Sequence, residues 1–238
     1  MLIIAHRCGT DRYAEQTIAA ARHSLALGAD YVEVDIRFTA NHVPVVIHDP
    51  TPESLYGVST PVCELTETEF LALRRSKDPS VCGHSFSHYL QCGIDRMLFH
   101  CKEGGAQLLM VAQMCKDHGI LDKVVFGLQQ QEDVRIIKGF DPSIKVLAFM
   151  KNKNDIEAFA DVGADFIRLW DQWATPELIS RVKATGKMLW IMASRPVVGE
   201  IDDKEQAYAD YTAWGAGGVL LNEVEPAIAH YRNICCTE

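Results

Sequence analysis

Eight short apolar runs recur along this chain, at residues 2–6, 31–36, 97–101, 123–127, 144–149, 164–169, 187–192 and 217–221. Helix-like segments lie between most of them, at about 15–28, 106–118, 130–139, 154–161, 175–185 and 204–214. Parallel neighbours in a sheet need a long crossover, usually a helix, so this alternation predicts a parallel sheet. Eight strands over 238 residues favour a closed (β/α)₈ TIM barrel over an open doubly wound sheet, with residues 1–238 as one domain. Local signals agree: Thr175-Pro176-Glu177 reads as an N-cap followed by proline in the first turn.

Two stretches break the rhythm. The apolar run Val43 to Ile47 is separated from the second strand only by Thr39-Ala40-Asn41-His42, too little for a crossover. It is expected to form a hairpin or rim extension that hangs His48 over the C-terminal mouth, where barrels of this kind keep their catalytic groups. Residues 49–95 carry Pro50, Pro52, Pro61 and Pro79 and a helical piece at about 66–75 opened by Thr66-Glu67. This insertion between the second and third strands reads equally well as a lid or as a loop that thickens the surface.

Composition narrows the class. A net charge of −9 argues against a nucleic-acid partner, since phosphate backbones call for a basic surface, but it leaves room for one phosphate held by converging Arg and Lys. Met1 to Ala5 is too short for a signal segment, and no apolar run approaches the ~18 residues of a membrane helix, so a cytoplasmic protein is expected. The eight cysteines contain no C-x-x-C pair and read as reduced thiols rather than as a zinc or iron–sulfur site.

The first two of the eight runs and then Val43–Ile47, three in chain order, also deliver the chemistry. His6-Arg7 ends the first, Glu33-Val34-Asp35 lies in the second and His48-Asp49 follows the third. Residues two apart in a strand share a face, so Glu33 and Asp35 both point into a barrel or both out. Buried together they need a cation to offset their repulsion, and oxygen ligands suit Mg²⁺ or Ca²⁺. The alternative is a solvated edge, which the flanking valines disfavour. Arg7 offers a planar fork for phosphate oxygens, and His6 and His48 can move protons near neutral pH.

Taken together, His6-Arg7-Cys8, Glu15-Gln16-Thr17, Glu33-Val34-Asp35, Thr39-Ala40-Asn41-His42 and Val45-Val46-Ile47-His48-Asp49 resemble the glycerophosphodiester phosphodiesterase family. That family's pattern runs His-Arg-Gly, Glu-Asn-Thr, Glu-x-Asp, Thr-x-Asp-Gly and Val-Val-x-His-Asp, in the same order and spacing. The resemblance is looser further on, at Leu98-Phe99-His100-Cys101-Lys102, Met188-Leu189-Trp190 and Gly218-Val219-Leu220-Leu221-Asn222. It implies a TIM barrel that hydrolyses a small phosphodiester with a divalent cation, as part of lipid metabolism. His6 and His48 would be the acid/base pair and Arg7 and Lys102 the phosphate ligands, with Trp190 as a pocket wall. Glu33, Asp35 and His100 would hold the metal, supported by Glu15.

The chain departs from that pattern where it matters most. His100 stands where the family has a third carboxylate, so the site loses a negative charge. Mn²⁺ or Zn²⁺ then become alternatives to Mg²⁺ or Ca²⁺, unless Glu103, Glu223 or the substrate compensates. Cys8, Gln16 and Asn41-His42 also differ from the pattern, and so does Ile191-Met192-Ala193. The substrate could therefore be a sugar phosphodiester such as an opine, and the product a cyclic phosphate, as in relatives among the venom phospholipases D. Rival readings are a phosphate-binding relative without turnover and a barrel using Lys102 as a Schiff-base amine. Self-association into a homo-oligomer is left open.

Overall fold

A computed structural model describes residues 1–193 and 201–233 of the chain. Nine strands form one sheet: β1 (Leu2–Ala5), β2 (Tyr31–Phe38), β3 (Pro44–Val46), β4 (Met97–Cys101), β5 (Val125–Leu128), β6 (Lys145–Ala148), β7 (Phe166–Trp170), β8 (Met188–Met192) and β9 (Gly218–Leu221). The order β1-β9-β8-β7-β6-β5-β4-β2 closes through a β1–β2 pairing, and each of these neighbours is parallel. The expected eight-stranded TIM barrel is therefore present.

Alternation along each strand separates two cores. Inward residues Ile4, Leu98, Val125, Leu147, Trp190 and Leu220 fill the barrel. Outward residues such as Ile3, Val32, Val34, Phe99, Ile167 and Leu169 pack into the larger layer beneath the helices. Those helices are α1 (Ile18–Leu27), α4 (Phe86–Gln91), α5 (Gln107–Asp117), α6 (Gln131–Phe140), α7 (Ile156–Asp161), α8 (Pro176–Ala184), α9 (Ile201–Ala213) and α10 (Glu225–Asn233), with two short ones, α2 (Glu53–Tyr56) and α3 (Glu67–Ala72), above the barrel rim.

Helix starts follow their caps. The first helix is expected from about residue 15, yet it begins at Ile18, because Gln16 is left-handed (φ 57°) and the Thr17 hydroxyl caps it by accepting from the Ala20 N–H at 3.1 Å. Thr175 caps α8 with proline in the first turn, as read from the sequence. The final helix, α10, is an element the apolar pattern did not suggest.

The Val43–Ile47 run supplies β3, antiparallel to β2 with Ile36 opposite Val46. Between it and β4, Val45, Ile47, Tyr56, Val62, Leu65 and Phe70 make a small cluster of their own. A capping box at Thr66 and Glu69 fixes the start of α3. In α4, Phe86, Tyr89 and Leu90 bury into the main outer layer, so this helix serves as the crossover that feeds β4. Cys235 and Cys236 lie outside the described residues, and the other six cysteines are unpaired. Among the described residues no helix is long and apolar enough to cross a membrane.

Candidate active site

Strand β2 carries the centre of the site. Glu33 and Asp35 face into the barrel and are fully buried, with Val32, Val34 and Ile36 turned to the helices. The parallel register sets His100 of β4 directly beside Asp35. His100 Nδ1 lies 3.0 Å from Asp35 Oδ1 and 3.7 Å from Glu33 Oε1, and one ligand atom from each of the three residues falls within a 4.8 Å cluster. The expected trio is thus assembled, and the solvated-edge alternative is removed.

Electrostatics at the cluster are unbalanced. Burial, then the adjacent Asp35, pushes the Glu33 carboxyl well above the usual carboxylate range. Burial acts the same way on Asp35, but the hydrogen bond from His100 and the Lys102 charge overcome it and hold that carboxyl below its ordinary value. Glu33 Oε2 accepts from the Arg7 backbone N–H at 2.7 Å, while its Oε1 is buried with no hydrogen-bond partner among the described residues. An orphaned carboxylate oxygen beside a second carboxylate and an imidazole is a donor set that fits a divalent cation.

His100 is held on both sides. Its ring stacks on Phe149, centroids 4.2 Å apart at 24°, and its Nε2 lies 2.7 Å from the Gln129 amide nitrogen. Gly127 makes this possible, since a Cβ there would come within 2.5 Å of the Phe149 ring. Burial pushes the imidazole down to about 4, against the pull of Asp35, so it is neutral at pH 7. As the residues stand, the Gln129 amide nitrogen donates to Nε2 and Nδ1–H faces Asp35; binding a cation through Nδ1 would call for the other tautomer, with the Gln129 amide turned so that its oxygen accepts from Nε2–H.

Lys102 departs from expectation. It does not line the cavity; its ammonium sits 2.8 Å from Asp35 Oδ1 and 2.9 Å from His100 Nδ1. Nor do Glu103 or Glu223 restore the missing negative charge. Glu103 pairs with Arg37, and the exposed Glu223 pairs with Lys204 at 2.9 Å.

The two histidines reach the cavity from neighbouring parts of the mouth, since β1 pairs with β2 and β2 with β3. His6 follows β1, and its Nδ1 is 2.6 Å from Asn222 Oδ1 at the end of β9. Donation from Nδ1–H to that oxygen leaves Nε2 free for the cavity. Burial pushes the His6 imidazole down to about 4. His48 stands on the loop after β3, where Arg37 Nε donates to its carbonyl at 2.9 Å. Its Nδ1 lies 2.7 Å from Asp49 Oδ1, and Ser54 donates to the other Asp49 oxygen at 2.7 Å. The hydrogen bonds from His48 and Ser54 hold the Asp49 carboxyl below its usual value.

Backbone strain sits between these groups. Arg7 (φ 51°), Cys8 (φ 70°) and Gly9 (φ 85°) form a left-handed run that turns Arg7 over the mouth, where Nη1 meets Glu15 Oε2 at 3.1 Å. Gln16, also left-handed, aims its amide at Asp35 Oδ2 and carries the inner end of the carboxylate pair.

His6, Arg7, His48 and His100 share a cavity of about 310 Å³ with Gln129, Phe149, Met150, Lys151, Arg168, Trp170, Trp173 and Met192. Trp190, expected as a wall, is instead fully buried deeper in the barrel and stacked on Phe166 at 4.7 Å. It lies two residues before Met192 on the same face of β8, which puts it one layer below the cavity; Trp170 and Trp173 are the tryptophans that line it. Sequence reasoning missed Asn222, Gln129, Arg168 and these two tryptophans. A period-2 reading of Phe166-Ile-Arg-Leu-Trp170 would have turned Arg168 inward; Asn222 was visible only as the end of a stretch that resembles the family, and Gln129 gave no signal beyond ending a strand.

Fold and site together define a (β/α)₈-barrel protein with two imidazoles and a paired-carboxylate cluster at its mouth. Residues 6–100 match the Glycerophosphoryl diester phosphodiesterase family. Over this stretch the chain is similar to that family, in line with the resemblance of its motifs. Glycerophosphodiester phosphodiesterase 1 of Rattus norvegicus is 44% identical over 63 residues, which are 26% of this chain and 19% of that protein. A glycerophosphodiester phosphodiesterase of Caldanaerobacter subterraneus is 46% identical over 50 residues, 21% of each. The aligned stretch thus spans about a fifth of these curated relatives. Among solved structures, a putative glycerophosphoryl diester phosphodiesterase from Agrobacterium tumefaciens superposes with a TM-score of 0.84 at 16% identity, covering 100% of this chain and 99% of that one. One from Parabacteroides distasonis gives 0.80 at 19%, covering 98% and 86%. At such identities these two similarities speak for the fold.

Proposed function

We propose that this protein is a metal-dependent phosphodiesterase that cleaves a small glycerophosphodiester-like substrate to a phosphomonoester and an alcohol. The observation that carries the reading is the convergence of His6, His48 and Arg7 on one cavity above the Glu33, Asp35 and His100 cluster. Glu33, Asp35 and His100 would hold the cation; when bound, it supplies positive charge to the phosphoryl oxygens and relieves the repulsion between the two carboxylates. Arg7, steadied by Glu15, would bind a phosphate oxygen from the rim.

His6, kept neutral by burial and fixed through Asn222, is placed to take a proton at Nε2 from the attacking water or from a substrate hydroxyl. The second choice would give a cyclic phosphate. His48, oriented by the Asp49 carboxylate, is placed to deliver a proton from Nε2 to the leaving alkoxide. The phosphorus–oxygen bond to the alcohol breaks as the new one forms. Lys102 would act through Asp35 and His100 rather than by direct phosphate contact. Its ion pair with Asp35 also favours a second reading, a relative that binds phosphate ligands without turning them over.

The same proposal takes residues 1–238 as one domain, with 49–95 as an insertion over the mouth through which the His48 loop is braced. The unpaired cysteines suit a cytoplasmic location, and the charge of −9 disfavours nucleic acid. Hydrolysis of bis(p-nitrophenyl) phosphate with added Mn²⁺ tests the function. We expect turnover that falls by roughly 10²–10⁴-fold in His6→Ala and in His48→Ala. No turnover with Mg²⁺, Ca²⁺, Mn²⁺ or Zn²⁺ would overturn the catalytic reading in favour of the binding one.

A further inference from the structure

Arg168 is a buried cation that the proposed reaction does not use. On β7, Ile167 and Leu169 turn outward to the helices, which leaves Phe166, Arg168 and Trp170 facing the barrel. In the ring of eight strands β7 stands opposite β2, so Arg168 looks at the carboxylate cluster from across the cavity. It is 4% exposed. Its guanidinium lies over the rings of Trp170, Phe149 and Trp173 at 4.8, 4.9 and 5.8 Å. One nitrogen, Nη2, donates to the Met150 carbonyl at 3.2 Å, while Nε is buried without a partner among the described residues.

Three other cations around the site have carboxylates: Arg7 has Glu15, Lys102 has Asp35 and Arg37 has Glu103. No carboxylate pairs with Arg168 among the described residues, and burial alone shifts it, down to about 10, so it stays charged at pH 7. The three rings and the Met150 carbonyl offset part of the cost of burying this charge, and an incoming anion would offset more of it. Lys151, exposed at the same wall, adds a second positive charge.

The geometry points to a subsite for a second anionic group, formed by Arg168 and Lys151 across the cavity from the phosphate-binding rim. Resting on the proposed phosphodiesterase reading, we infer that the preferred substrate is a phosphodiester whose alcohol part bears a carboxylate. A carboxylate is the planar partner that a guanidinium fork holds with two N–H groups, and the flanking rings suit a flat group. Quaternary ammonium alcohols are disfavoured, because Arg168 already occupies the ring faces such a cation would need and repels it.

The test compares two glycerol phosphodiesters, one of 3-hydroxypropanoate and one of propanol, whose leaving alcohols are of similar basicity. The wild type should prefer the carboxylate diester by about tenfold or more in kcat/KM, as expected when a buried donor would otherwise stay unpaired. In Arg168→Met that ratio should fall close to one, and in Lys151→Gln it should fall by a smaller factor. If Arg168→Met does not fold, Arg168→Lys, which keeps the charge without the fork, should lower the ratio. A wild-type ratio near one overturns the subsite. So does an equal loss of both diesters in Arg168→Met, which would assign Arg168 to the scissile phosphate. Should neither diester turn over with any divalent ion, the phosphodiesterase reading fails separately. Calorimetry of both compounds in EDTA then decides the subsite: tighter binding of the carboxylate, lost in Arg168→Met, supports it, and equal binding overturns it.

Discussion

Single residues here hold states that water would not give them. His6 is neutral well below its ordinary range because burial outweighs its hydrogen bond to Asn222. The folded pKa is depressed to about 4 from 6.5, so the unfolded chain binds the proton first as pH drops. His6 therefore costs nothing above pH 6.5 and destabilises the fold increasingly from 6.5 toward 4, by about 1.4 kcal/mol per unit at most. Urea melts of wild type and His6→Gln, both free of metal, should show the wild type losing stability relative to the variant over that window. Parallel pH curves would contradict the assignment. Cys8 holds an unusual state of another kind: a buried, non-glycine residue at φ 70°, where the family pattern has glycine. Its thiol contacts the Glu33 carbonyl at 3.6 Å and the Tyr89 hydroxyl at 3.7 Å, which helps to hold the left-handed run.

At the scale of elements, the site is the product of one register. Pairing of β2 with β4 sets Asp35 against His100, and a slip by one residue would turn His100 out into the helix layer. Restoring the family's charge at that position tests the ligand role. His100→Asp should bind Mg²⁺ about tenfold or more tightly by calorimetry, because a third carboxylate is a harder and charged ligand. The same variant should be less stable without metal, since it adds a like charge beside Glu33 and Asp35. Unchanged affinity would place His100 outside the coordination sphere. The elements were largely legible in the sequence, because alternation fixes a strand's faces and caps fix helix starts. Residues 31–36 and 97–101 yielded β2 and β4 to within two residues of their ends. The left-handed Gln16, which delays α1, was not legible, because glutamine has no intrinsic preference for that conformation.

For the whole molecule, the barrel joins stability to ligand. Metal bound only by the folded state stabilises it, by about 2.7 kcal/mol at a hundredfold excess over Kd. For a domain of this size that is a rise in Tm of roughly 5–10 °C. Differential scanning fluorimetry with Mg²⁺, Ca²⁺, Mn²⁺ and Zn²⁺ should show the rise with at least one ion, its reversal by EDTA and its absence in Glu33→Gln. No rise with any of the four would remove the cation from the site. The front of the site was legible because its residues sit within one contiguous motif over residues 6–49. Its far wall was not, since Arg168, Trp170 and Trp173 come from a distant strand and meet His6 and His48 only when the barrel closes.

That closure has a consequence for traffic. Trp190, stacked on Phe166 and tilted against Tyr31 at 6.3 Å, stops the barrel like a cork beneath the cavity. Gly218 makes room for it: a Cβ there would come within 2.9 Å of the indole. With the base sealed, entry and exit share the mouth among the described residues. A ligand bound in the cavity would have to back out past Arg7 and His48 before the next molecule came in.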